Sequence, residues 1–413
     1  MKKYRLFSLI LAGCLILTGC SGGDGDGDEA ESTTTQPYVT VTDKEGNPVT
    51  DDNGEVVTSI ISLIPTEKEL TVGFVYPGTA GGDAVSQIFE TARVQIERTL
   101  NAKTCYIENV LVGQFEDATA QLVSNGCNVI VAASSRFANA AYDEARANSK
   151  VYFISVGGSK TTFNLACFQG EMYKAAYICG MAGAYNSDSN ILGIVADPAI
   201  LSCYNIVDAY VLGAEELTEG DTDVRLNFAW GNRDNENKDA IDDLIAQGCD
   251  VIFTATYSTY AVEYCEQRGV KVIGMAYNTP ELAPKHYLTG CFYNTTIFLI
   301  DMLRSVRYDT STSVTYLGGI NEGAIRLVDF NESCKAGTEE VCGALYQLCA
   351  DGKAVIFNGE IRDNKGNVKV EKGAVLTSSE ILAIDWLEEY ITEMKNFCAP
   401  VVEPMESDLV IHQ

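Results

Sequence analysis

The chain has 413 residues, with 57 acidic against 29 basic side chains, a formal charge of −28, two histidines and fourteen cysteines. Such a chain lacks the clustered Lys and Arg that displace counterions from a nucleic acid polymer, and His286 and His412 are too few for a multi-histidine metal site. At 46% hydrophobic it has the composition of a folded protein long enough for two domains, and past the N-terminus no apolar run reaches the roughly 18 residues of a membrane span.

Lys2, Lys3 and Arg5 precede an apolar stretch from Leu6 to Leu17, which closes on Leu17-Thr18-Gly19-Cys20. A basic start, a short apolar core and a small-residue exit make a signal rather than a span. The pattern resembles a bacterial lipoprotein signal, with residues 1–19 removed and Cys20 lipidated. Cutting at Cys14 instead would leave about six apolar residues, short of the usual 7–15. Residues 20–67 read as a flexible acidic tether. Gly22 to Asp28 buries nothing and repels itself into extension. Val41–Pro48 and Val49–Val56 then repeat an eight-residue pattern with Glu-Gly and Asn-Gly turn signals, suited to transient hairpins in a spacer.

From Thr71 the pattern changes to short β-branched runs alternating with helix-length segments. Val72–Tyr76 leads to Ala84–Leu100, Asn128–Ala132 to Ala138–Ala147, and Val151–Val156 follows. A second series runs through Ile191–Val195, Val224–Phe228, Val251–Thr254 and Val270–Ile273. Continuous apolar strands alternating with helices predict an α/β fold of parallel sheets covered on both faces. The two series also match: Leu122-Val-Ser-Asn-Gly-Cys-Asn-Val-Ile130 aligns with Leu244-Ile-Ala-Gln-Gly-Cys-Asp-Val-Ile252, and Tyr142, Glu144 and Arg146 fall on Tyr264, Glu266 and Arg268. The chain reads as two doubly wound lobes produced by duplication, with a helix ending at a Gly cap just before a buried strand in each.

Further segments carry a resemblance: Phe74-Val-Tyr-Pro-Gly78, Tyr106–Val110, Phe168–Gly180 with Tyr173 and Tyr177, Lys238–Ile252, Phe357–Val370 and Ile384-Asp-Trp386. In this order and spacing, the body from about Val72 to Met394 resembles the basic membrane protein family of lipoproteins. These are substrate-binding components of ABC importers, many of which take purine nucleosides or related bases. The resemblance implies a type I periplasmic-binding-protein-like fold with a three-crossing hinge. Residues 68–164 and about 288–307 would form lobe 1, and 165–277 and about 315–395 lobe 2, with a final helix from Ser378 to Met394 and a tail at 396–413. It implies a monomer on the outer face of the membrane, without cofactor or metal, that passes a small molecule to a permease.

The same resemblance places the ligand at the carboxyl ends of strands, stacked on an aromatic ring from each lobe. In lobe 1 the stacking position falls on Val85, which cannot stack; Tyr76 or Phe89 could substitute, though Phe89 reads as facing the core of its helix. Asp83 and Ser86 open that helix and offer polar contacts or a helix cap. Ser134, Phe137 and Asn139 follow a later strand, Phe137 as the stacker. In lobe 2, Trp230 and Tyr257 follow strands, and Tyr293-Asn294 matches an aromatic-Asn pair. The ribose-binding carboxylate position falls on Ala276, with Asn278 beside it, so a free base, a modified nucleoside or another flat polar solute stands as an alternative. A sugar ligand, or a sensory role, fits the same pattern. No Gly-x-Ser-x-Gly elbow, P-loop or His-Glu-x-x-His motif occurs, and His286 has no partner in sequence, so no enzyme is expected. Cys127 and Cys249 sit at equivalent strand entries, where a small buried hydrophobe fits, so free thiols are the simplest reading of the body cysteines.

Overall fold

The computed structural model describes residues 38–40, 58–60, 67–198, 200, 202–218, 221–231, 233–275, 278–311, 315–393 and 409–413. The signal segment, Cys20 and the eight-residue repeat lie outside them. The chain divides into two units, residues 1–65 and 66–413. In the first, β1 (Tyr38–Thr40) pairs antiparallel with β2 (Thr58–Ile60), Tyr38 opposite Ile60. No helix among the described residues is long and apolar enough to cross a membrane.

The second unit begins with β3 (Thr71–Val75), α1 (Ala84–Leu100), β4 (Lys103–Ile107), α2 (Phe115–Ser124), β5 (Val129–Ala132), α3 (Ala138–Ala147), β6 (Tyr152–Val156) and β7 (Leu165–Gly170). It continues through α4 (Met172–Asn186), β8 (Ile191–Ala196), α5 (Cys203–Thr218), β9 (Asp223–Phe228), α6 (Asp234–Ala246), β10 (Val251–Ala255), α7 (Thr259–Arg268), β11 (Lys271–Met275) and β12 (Tyr287–Tyr293). After these come α8 (Thr295–Arg307), β13 (Thr315–Gly318), β14 (Ile325–Leu327), α9 (Thr338–Ala350), β15 (Ile361–Arg362), β16 (Val368–Val370), α10 (Ser378–Leu382), β17 (Ile391–Glu393) and β18 (Ile411–His412). The strands form two seven-stranded sheets, in the orders β13-β7-β6-β5-β3-β4-β18 and β14-β12-β11-β10-β8-β9-β17. Only β18 on β4 and β14 on β12 are antiparallel within them. β5 and β10 are buried at every residue, as parallel strands covered by helices on both faces must be.

The sequence repeat is a repeat in space. α2 and α6 each give way to a glycine of positive φ, Gly126 at 92° and Gly248 at 91°, which turns the chain straight into β5 and β10. In the strand alongside, a side chain at Gly73 would strike Leu122 and Cys127, and one at Gly193 would strike Leu244 and Cys249. Arg146 lies 5.8 Å over the Tyr142 ring, as Arg268 lies 5.8 Å over Tyr264.

Strand pairing moves the expected lobe boundaries. β7, expected to open lobe 2, pairs with β6 and belongs to the first sheet. Only eight residues separate it from β6, with no helix between them to mark the strand as part of the same lobe. β12, expected in the lobe 1 return, pairs with β11 in the second sheet, and only α8 packs on lobe 1 through Phe298, Leu299 and Leu303. β13 pairs with β7 rather than joining lobe 2. The chain therefore crosses between sheets after β7, after β12 and after β13, each time at a strand's carboxyl end, and once more between β17 of the second sheet and β18 of the first.

The expected long final helix stops at Leu382, where the buried Asn205 side chain donates to the Ile381 carbonyl. The segment continues extended, and Ile391 joins the second sheet on β9. The C-terminal tail is likewise partly a strand: Ile411 pairs with Ile107 of lobe 1, and His412 stacks on Tyr106 at 4.9 Å. Eleven cysteines among the described residues are free thiols, ten of them buried.

Glu388 and Asp208 are closed together under this C-terminal segment, at 2% and 0% exposure. The Glu388 N–H donates to Asp208 (2.9 Å), and the Tyr390 N–H donates to Glu388 (2.7 Å). Burial pushes the Glu388 carboxyl up to about 7, with repulsion from Glu389 and Glu215 adding to it, and burial pushes Asp208 up further. A raised carboxyl contributes its stability in full below the unfolded value near 4.5 and loses it as pH rises through about 7. Glu388→Gln is therefore expected to flatten the pH–stability curve over that window by roughly 3 kcal/mol, read by denaturant unfolding at several pH values. Parallel curves for the two proteins would contradict this assignment.

Candidate functional site

Three parallel strands of the second sheet deliver their next residues to one place. After β8 comes Asp197, after β9 come Trp230 and Gly231, and after β10 come Tyr257 and Ser258. The backbone ties these ends together: the Ala229 N–H donates to the Ala196 carbonyl (3.0 Å) and the Asp197 N–H to the Ala255 carbonyl (3.1 Å). The Gly231 N–H donates to the Asp197 carboxylate at 2.9 Å. A Cβ at position 231 would lie 3.0 Å from that carboxylate and 3.3 Å from the Tyr257 nitrogen, so glycine is what lets the three ends converge.

Trp230 is half-buried, and its main chain is fixed on both sides. Its N–H donates to Glu236 (3.3 Å), and its carbonyl accepts from the Asn237 side chain (2.8 Å). Arg233 lies 5.7 Å over the indole and is itself paired with Glu236. Ser258 caps α7 by accepting from the Ala261 N–H. Burial pushes the Tyr293 phenol up, and the neighbouring Tyr257 side chain pulls against it.

Tyr293 carries the cluster to the hinge. It ends β12 in the second sheet, yet its ring meets Phe168 of β7 edge-on at 6.4 Å. A Cβ on Gly170 would come within 2.4 Å of the same ring. Next to it the Glu171 N–H donates to the Gly318 carbonyl, joining the crossings that follow β7 and β13. The Glu171 side chain accepts from Tyr173, Lys174 and Ser378. Burial raises that carboxyl, but the bonds from Lys174 and Tyr173 outweigh it and hold it below its ordinary value.

Of the sequence candidates, the structure thus gathers Trp230, Tyr257 and Tyr293. Asn294 opens α8 beside them, half-buried, with its N–H on the Ala324 carbonyl. Asn278 is exposed after β11, and Ala276 lies outside the described residues. In lobe 1 the polar candidates stand at strand ends but are engaged locally. Asp83 caps α1 at Ser86, and Ser86 Oγ accepts from the Gly78 N–H while donating to Asp83. Ser134 accepts from the Arg136 N–H, and Asn139 is exposed beside Lys160.

Tyr76 and Phe137, expected to present rings to a ligand, are instead closed into the core. Tyr76 continues the alternation of β3 onto the same face as Val72 and Phe74, and its hydroxyl donates to Glu90 at 3.0 Å. Phe137 sits one turn before Ala141 on the inner face of α3 and packs on Phe115 at 5.1 Å. Sequence reasoning missed Asp197 and Glu171. The signal for Asp197 was present: an acidic residue directly after the apolar run of β8, where open parallel sheets hold their ligands.

The family model for ABC transporter substrate-binding proteins of the PnrA-like type matches residues 69–365. A purine-binding protein of Brucella abortus is 26% identical over 314 residues, covering 75% of this chain and 87% of its own. A protein of Haloferax volcanii, provisionally described as an ABC transporter glucose-binding protein, is 28% identical over 366 residues, covering 87% of this chain and 90% of its own. Among solved structures, an ABC transporter solute-binding protein from Aeropyrum pernix superposes with a TM-score of 0.60 at 13% identity, over 71% of this chain and 93% of its own, a likeness of fold. With the family match spanning well over half its length, the chain belongs to the PnrA-like family of ABC transporter substrate-binding proteins.

Proposed function

We infer that the protein captures a purine nucleoside or base between its two lobes and delivers it to an ABC permease. It works as a monomer held to the outer membrane surface by lipid on Cys20, and it makes or breaks no bond. The observation that carries this reading is the aromatic cluster of Trp230, Tyr257 and Tyr293, gathered at the strand ends of the second sheet and reaching the hinge through Tyr293. Flat rings suit a flat ligand, and a ligand that touches both lobes favours the closed state. The purine-binding relative supports the ligand class. The relative described as glucose-binding supports a second reading, a sugar held in the same place.

Calorimetric titration of the purified protein with guanosine, adenosine, inosine, the free purine bases and glucose separates the two. Saturable binding of at least one purine, with none of glucose, is the expected result. Glucose binding without purine binding overturns the purine reading and favours the second.

A further inference from the structure

We propose that Cys105 and Cys127 form an oxidation site in lobe 1, a dithiol that hydrogen peroxide closes to a disulfide. Both residues lie on the face of the first sheet that carries α2, with their sulfurs 3.4 Å apart and each residue 3% exposed. Gly73 of β3 makes the meeting possible. Cys105 stands opposite Gly73 on β4, and Cys127 approaches the same spot from the turn into β5. A Cβ at Gly73 would come within 3.1 Å of the Cys127 sulfur, so the thiols meet over β3 because that strand has no side chain there. The duplicated lobe shows that the fold does not require two cysteines at this place. Cys249 takes the position of Cys127, and a Cβ at Gly193 would stand 3.3 Å from its sulfur. The residue opposite Gly193 is Arg225, which cannot form a disulfide. A small buried hydrophobe accounts for Cys127 and Cys249 alike, but the partner thiol of Cys105 belongs to lobe 1 alone.

The two thiols are unequal. The bond from Cys127 draws the Cys105 thiol down to about 7 against the effect of burial, and the Asn125 side chain, 3.7 Å from its sulfur, and the Arg93 charge act the same way. The same bond, together with burial, pushes Cys127 up. Cys105 is therefore the thiolate that attacks. Its sulfur takes one peroxide oxygen, the O–O bond breaks, and the other oxygen leaves as water with the proton that Cys105 gave up. Cys105 is now a sulfenic acid. The Cys127 sulfur then attacks the Cys105 sulfur, the S–O bond breaks, and hydroxide leaves as water with the Cys127 proton. Two thiols and one peroxide give one disulfide and two waters, with two electrons passing from sulfur to peroxide. A disulfide needs about 2 Å between sulfurs, so closure asks for a movement of about 1.4 Å, shared by two side chains. Peroxide is scarcely larger than water, which suits thiols this deeply buried.

The test treats the purified, fully reduced protein with hydrogen peroxide, alkylates the remaining thiols after unfolding without reductant, and maps the peptides by mass spectrometry. The expected product is a peptide pair joined through Cys105 and Cys127 and lighter by two hydrogens, with Cys249 recovered in alkylated form. Because the bond closes a loop of 22 residues, the melting temperature is expected to rise by about 4 °C and to return when a dithiol reductant is added. Cys127→Ala is expected to abolish both the linked peptide and the rise, leaving Cys105 as a sulfenic acid that dimedone traps. The mapping of the unsubstituted protein stands without any variant. Recovery of Cys105 and Cys127 as alkylated thiols, as separate higher oxides, or linked to other cysteines overturns the inference. A linked peptide that brings no rise in melting temperature keeps the oxidation site and overturns its role as a staple of lobe 1.

Discussion

Replacing Trp230 with alanine is expected to weaken ligand binding by about 30- to 100-fold, the roughly 2–3 kcal/mol carried by stacking one base on an aromatic side chain. The substitution is well suited to the question because the backbone at 230 is held independently of the indole. The N–H is on Glu236, the carbonyl is on Asn237, and the neighbouring Gly231 is on Asp197. Alanine keeps all three bonds. The indole is only half-buried, so its loss leaves the free protein close to its original melting temperature. Phenylalanine at the same position retains a ring and is expected to recover most of the affinity. Titration calorimetry on the three proteins reads the result directly. Undiminished affinity in Trp230→Ala would remove the residue from the site and with it the centre of the aromatic cluster.

The largest effect on stability is expected from glycine, not from an aromatic. α4 and α5 approach so closely that a Cβ at Gly180 would lie 1.9 Å from the Tyr210 carbonyl oxygen, and one at Gly213 would lie 2.0 Å from the Tyr177 carbonyl oxygen. These contacts are reciprocal, each glycine of one helix against the backbone of the other. Nearly every residue of α4 is buried, so the pair has no free side toward which to yield. Gly213→Ala must push two main chains apart and disturb the packing of both helices on the sheet. Overpacking of this kind costs roughly 3 kcal/mol or more, and for a body of this size that lowers the melting temperature by about 4 °C or more. Gly343 in α9 supplies the control, since a Cβ there meets nothing within 4 Å. Gly343→Ala is expected to stabilise by roughly 1 kcal/mol through helix propensity. Calorimetric melting that ranks the two substitutions the other way would contradict the close approach of α4 and α5.

Parallel-strand periodicity made the two sheets and the duplication legible from residues alone. The match of Leu122–Ile130 with Leu244–Ile252 has a physical basis, since each segment ends a helix at a positive-φ glycine and feeds a buried strand. The ownership of β7, β12 and β13 was not legible, because a strand's sheet is chosen by non-local pairing. Leu165–Gly170 reads the same whichever lobe it joins. The C-terminal segment misled for a related reason. Its helical start at Ser378 is real and closed by a capping box between Thr377 and Glu380, but the chain beyond it pairs with β9, a strand distant in sequence.

At the site, the aromatic residues that follow β9 and β10 and the one that ends β12 stand together at the strand ends. Those read from lobe 1 do not, since at Tyr76 and Phe137 a strand end and a core face share the same few residues. Only tertiary packing decides which way such a ring turns. Asp197 was legible in principle, as a charge at the end of a buried strand, but it matches no motif.

The central claim is capture of a purine by the two lobes, and the most direct measurement is to denature the purified protein and identify the released molecule by mass spectrometry. A purine nucleoside or base in near-stoichiometric amount is the expected result. A sugar released in that amount, with no purine, would contradict it.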